Sequence, residues 1–108
     1  MSDTVTLPRV SKALKAAEAH GREVIAMAEI GAPSLAAIDG LRIDADRCQS
    51  LAVRWATAES RAPSGVRKAR RLSLRASRLR TLALRLRPEA AQRAALARLG
   101  RVSGTPML

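Results

Sequence analysis

The sequence predicts an all-α protein: a small helical bundle of four or five helices, with an Arg-rich helix near residues 66–87. Three observations support this. Ala and Leu dominate, with 22 Ala and 14 Leu among 108 residues, and both favour helix. Apolar residues recur at three- and four-residue spacing in several segments. Pro and Gly fall between those segments, where turns belong.

In chain order, residues 1–7 read as a frayed lead-in, and Pro8 suits the first turn of a helix, where its missing N–H costs nothing. Val10, Leu14 and Ala17 then share a face as far as Gly21. Residues 22–30 read either as a further helix with Val24, Ile25 and Ala28 inward or as a short strand. Ala, Met and Glu tip the balance to helix against Val and Ile. Gly31 and Pro33 end that element, residues 34–39 form a short turn before Gly40, and residues 41–43 are a connector. Asp44 or Asp46 is placed to cap a helix through Ser60. Cys48, Leu51, Trp55 and Ala58 form its buried stripe, with Ala52 beside them.

Pro63, Ser64 and Gly65 punctuate the chain before the basic segment. There Ala69, Leu72, Ala76, Leu79, Ala83 and Leu86 are spaced 3, 4, 3, 4 and 3, a heptad-like seam. Leu74, Leu82 and Leu84 lie off the seam. Pro88 and Glu89 suit the first turn of a last helix. Ala91, Ala94, Ala95, Leu96 and Leu99 are its apolar content, and Gly100 is its stop. The domain organisation expected is one helical domain over residues 1–100 and a flexible C-terminal tail over 101–108. Trp55, Leu51, Leu72 and Leu79 are expected near the centre. Phe and Tyr are absent and Trp55 is the only aromatic, so the core is thin.

Charge is the feature that bears on function. Residues 1–60 hold seven Lys/Arg and eight Asp/Glu, whereas residues 61–87 hold ten Lys/Arg and no acid. The preference for Arg over Lys carries no weight by itself, because a GC-rich genome produces it. The acid-free stretch between Glu59 and Glu89 does carry weight. A strip of Arg along a helix neutralises phosphates with release of counterions and binds them in bidentate fashion. The candidate nucleic-acid-binding residues are Arg67, Lys68, Arg70, Arg71, Arg75, Arg78, Arg80, Arg85 and Arg87. Arg67, Arg71, Arg75, Arg78 and Arg85 form the main cluster, and Arg70, Arg80 and Arg87 point elsewhere.

The expected function is non-catalytic binding of nucleic acid through its phosphate backbone, with duplex DNA or structured RNA as the partner. Lack of aromatics argues against single-strand stacking modules. A helix–turn–helix over residues 25–55 matches only generically and sets Asp44 and Asp46 towards the phosphates. The alternative is a structural or adaptor protein whose basic helix binds an acidic protein partner or drives assembly of a homo-oligomer.

Catalysis is not expected. His20 and Cys48 are each the only residue of their type. His20 reads as a polar helix-end residue and Cys48 as an inert core thiol. Asp39, Asp44 and Asp46 lack the ligand pattern of a calcium loop, and no Gly-rich phosphate loop is present, so no cofactor or metal is assigned. No apolar stretch reaches the roughly 20 residues of a membrane span, and no secretory signal is visible. With a lone cysteine, the expected location is cytoplasmic.

Overall fold

The computed structural model describes residues 5–57 and 63–103, with side chains to residue 100. The described residues form three helices: α1, Leu7–Ile30; α2, Leu35–Ala56; and α3, Pro63–Ser103. The fold is the expected all-α bundle, but with three helices rather than four or five. Each merger has a local cause.

α1 is capped by Thr6, whose side chain accepts a hydrogen bond from the Arg9 N–H. It runs through Gly21 without a break, so residues 22–30 are helix, as favoured, and continue the first helix. Gly21 is buried where α1 meets its neighbours. A Cβ there would lie 2.9 Å from Leu79 Cδ2 and 3.9 Å from Leu41 Cδ1. Its missing side chain serves close helix packing instead of a stop. Val24 is buried beyond it, whereas Ile25 is exposed, contrary to its expected inward position.

α2 starts earlier than expected. Ser34 accepts from the Ala37 N–H at 3.1 Å and is the N-cap, so residues 34–43 are not a turn and connector. Asp44 and Asp46 lie mid-helix. Ile38 and Leu41 are fully buried in phase with Ala45, Cys48, Ala52 and Trp55, and that apolar stripe carries the helix through Gly40. Thr57 closes it, its N–H donating to the Val53 carbonyl at 3.0 Å. Ala58 and Ser60 lie outside the described residues.

α3 is a single helix of 41 residues and contains Pro88. Neither Pro88 nor Gly100 bounds a separate helix. Proline removes a helical hydrogen bond and crowds the carbonyl four residues back. Here Pro88 is exposed while Leu86 and Ala90, on either side, pack in one core cluster. Burial of the seam keeps the helix continuous. The expected tail at 101–108 is helical through Ser103, and residues 104–108 lie outside the described residues.

The helices run up, down, up. Val10, Leu14, Cys48, Leu51, Trp55, Ala69 and Leu72 form one core cluster, and Val24, Ile38, Leu41, Ala83 and Ala90 form a second. Leu79, half-buried, packs against both. The seam of α3 therefore faces the α1–α2 hairpin throughout and extends one step beyond the expected Leu86, to Ala90.

At about 1.5 Å per residue, α3 is about 62 Å long, against about 36 Å and 33 Å for α1 and α2. It passes the α1–α2 loop at Arg93, whose Nη2 donates to the Pro33 carbonyl at 3.0 Å, and then projects. The radius of gyration, 18.2 Å, exceeds the roughly 13 Å of a compact chain this long, as a projecting helix requires.

Candidate nucleic-acid interface

The seam sorts the cations of α3 by the side of the helix they occupy. Arg75 lies at the α1 edge, where its Nη2 is 2.8 Å from both carboxylate oxygens of Glu18. Arg80 and Arg87 lie at the α2 edge. Arg80 Nε is 2.7 Å from Asp46 Oδ1, and Arg87 Nε is 2.9 Å from Asp39 Oδ1. These three candidate residues are thus engaged by carboxylates of the scaffold.

The other six, Arg67, Lys68, Arg70, Arg71, Arg78 and Arg85, are exposed. None has a carboxylate within 4 Å among the described residues. At 3.6 residues per turn, Arg67, Arg71, Arg78 and Arg85 share a face turned away from the seam. From Arg67 to Arg85 this ridge spans about 27 Å, with about 10 Å between successive members of the set 71, 78 and 85. Lys68 and Arg71 also line, with Leu72 and Arg75, a shallow cleft of about 180 Å³ beside the ridge.

The basic surface continues onto α1. Lys15 and Arg22 are exposed and flank Glu18 at three- and four-residue spacing, which puts them on the α1 face nearest Arg75. Trp55 is 8% exposed and belongs to the core, so the basic face offers no aromatic platform for unstacked bases.

The residues weighed for chemistry have structural partners. Asp39 and Asp46 hold α3, and Asp44 Oδ2 is 2.6 Å from His20 Nδ1. His20 is therefore a mid-helix residue that faces Asp44 of α2, not a helix-end residue. Cys48 is fully buried, and its Sγ donates to the Val10 carbonyl at 3.6 Å. Burial, the main cause, raises its thiol pKa above the ordinary value, with Arg75 acting in the opposite sense. No cluster of three metal-ligating side chains occurs among the described residues. Among them, too, no helix is long and apolar enough to cross a membrane.

No protein-family model matches the chain, and no curated protein or solved structure matches it either. The functional reading therefore stands on the side chains alone.

Helical spacing in the sequence set Arg80 and Arg87 apart from the main cluster but kept the carboxylate-paired Arg75 in it and left Arg70 out, although a sharper signal was present. Asp39 and Asp46 are seven residues apart, as are Arg80 and Arg87. Such matched heptad spacing marks pairs across two antiparallel helices.

Proposed function

We propose that the protein binds duplex nucleic acid non-catalytically, gripping the phosphate backbone with the outer face of α3. The observation that carries this reading is the row Arg67, Arg71, Arg78 and Arg85, with Lys68 and Arg70 beside it, exposed and without a carboxylate partner among the described residues. A helix bearing this many unneutralised guanidinium groups on one face binds a polyanion by displacing its counterions, with little dependence on base sequence. Arg75, Arg80 and Arg87 act in this scheme chiefly as struts that hold the ridge outward. Duplex DNA and structured RNA both present the required rows of phosphates.

The test is a set of binding isotherms at several salt concentrations on a random-sequence DNA duplex, a base-paired RNA and a single strand. The expected result is binding to both duplexes, with a logarithmic affinity that falls linearly with the logarithm of salt concentration. Absence of duplex binding at low salt rejects the reading.

A second reading, assembly through α3, rests on a different feature. Leu96 and Leu99 are 60% and 62% exposed on the part of α3 that outlasts the bundle, and Ile30 is 90% exposed at the end of α1. A solution mass at twice the monomer, lost on Leu96→Ser/Leu99→Ser, is the outcome that supports assembly.

A further inference from the structure

The α1–α2 side of the bundle carries a second concentration of positive charge. A cleft of about 260 Å³ lies between these helices, lined by Arg9, Lys12 and Arg47, with Ala13, Ala16 and Leu51 completing it. Several times the roughly 30 Å³ share of one liquid water fits within it. Its three charged lining residues are all cations, drawn from both helices. α3 contributes none of its lining, whereas the cation ridge lies on the face of α3 turned away from both α1 and α2. The cleft and the ridge thus open on opposite sides of the molecule. They are separated by about two helix diameters, on the order of 20 Å.

The neighbouring groove between α2 and α3 makes a useful contrast. It is larger, about 470 Å³, but Asp46 lines it together with Arg54 and Arg80, and Asp46 pairs with Arg80. An anion entering there meets a carboxylate, whereas Lys12 and Arg47 of the α1–α2 cleft have no carboxylate within 4 Å among the described residues. Ala13 and Ala16 keep the α1 wall of that cleft low, and Lys12 and Arg47, both exposed, line it from either helix, open to a phosphate. Charge-assisted contacts of this kind are the strong class of hydrogen bond.

We propose that the α1–α2 cleft is a second phosphate-binding site, through which one chain holds a second duplex while α3 holds the first. The proposal rests on the reading of α3 as a duplex-binding ridge and adds the capacity to link two nucleic-acid segments.

The experiment uses the full chain and two short random DNA duplexes, one carrying a donor dye and the other an acceptor. Affinity for a single duplex and energy transfer between duplexes are both recorded. Wild type is expected to bind a single duplex and to bring the two dyes together. Lys12→Ala/Arg47→Ala is expected to abolish energy transfer while changing single-duplex affinity by less than about threefold, since the ridge is intact. Lys15→Ala/Arg22→Ala has the same net charge but loses cations beside the ridge. It is expected to weaken single-duplex binding and to retain energy transfer at saturating protein. Energy transfer that survives in Lys12→Ala/Arg47→Ala, or is lost equally in both variants, overturns the proposal. So does a wild type that binds one duplex without pairing two, and that result leaves the function of α3 standing. A wild type that binds no duplex overturns both.

Discussion

Arg87 Nε lies 2.9 Å from Asp39 Oδ1, and one heptad earlier on α3 Arg80 Nε repeats the contact with Asp46 Oδ1 at 2.7 Å. Because α2 and α3 are antiparallel, the same seven-residue step on each helix brings both pairs into register. The pairs flank a seam built largely of Ala and Leu, whose small side chains discriminate weakly between neighbouring registers. Charge supplies the discrimination that shape lacks, as flanking ion pairs do in coiled coils.

A double-mutant cycle on Asp39→Asn and Arg87→Gln measures this contribution. Both side chains are partly exposed, 31% and 42%, so the coupling energy expected from denaturant unfolding is small, about 0.2–1 kcal/mol. The coupling is expected to shrink as salt is raised. A coupling of zero at low salt would remove the pair from the set of contacts that hold α3.

Gly65 and Trp55 form a tighter contact. A Cβ on Gly65 would lie 2.5 Å from Trp55 Cη2, and 3.3 and 3.4 Å from two further ring carbons. An indole is rigid, so Gly65→Ala forces the ring or the first turn of α3 to move. The expected cost is about 1–3 kcal/mol for overpacking, offset in part by the roughly 1 kcal/mol that alanine gains over glycine in a helix. A lower unfolding midpoint and a changed Trp55 fluorescence spectrum are the readouts. A midpoint at or above that of wild type contradicts the packing described.

Burial raises the Cys48 pKa, and the consequence for stability has a definite sign. Below the thiol's ordinary range both folded and unfolded chains hold the proton, and the buried neutral thiol contributes its full stability. As pH rises past about 9, the ordinary value, the unfolded chain ionises first, and that contribution is lost up to the raised folded value. Urea unfolding of wild type and Cys48→Ala between pH 7 and 10.5 separates this effect from the titration of lysines. The wild type is expected to lose more stability across that range than the variant. Parallel curves would contradict it. At neutral pH the same burial predicts slow reaction with thiol reagents, accelerated by urea.

The α3 seam was legible in the sequence because it repeats with a fixed period, and Ala69, Leu72, Ala76, Ala83 and Ala90 are buried on it, with Leu79 and Leu86 half-buried. The helix count was less legible, because Gly21, Gly40 and Pro88 carry strong local signals for a break. At Gly21 and Gly40 the apolar face continues in phase on both sides, and tertiary burial outweighs the propensity cost of about 1 kcal/mol for each glycine. Pro88 survives because it falls on the exposed side, while Leu86, half-buried, and Ala90, buried, pack on either side of it. The candidate interface was legible as a region and not residue by residue. Taking Arg75 out of the main cluster, and Arg70 from the company of Arg80 and Arg87, required knowing which helix packs on each edge of α3. The α1–α2 cleft required knowing that Arg47 of α2 lies beside Arg9 and Lys12 of α1.

The proposed binding site for phosphates is the outer ridge of α3. Its most direct measurement compares the salt dependence of duplex affinity for wild type and Arg71→Ala/Arg78→Ala/Arg85→Ala, using a random duplex between about 50 and 200 mM salt. Each lost phosphate contact lowers the slope by about 0.9, so the triple variant is expected to show a slope smaller by up to about 3, with weaker binding to unrelated sequences alike. These residues are exposed and outside the packed seam, so its thermal unfolding is expected to match that of wild type. A folded triple variant with the affinity and slope of wild type would contradict phosphate binding by this ridge.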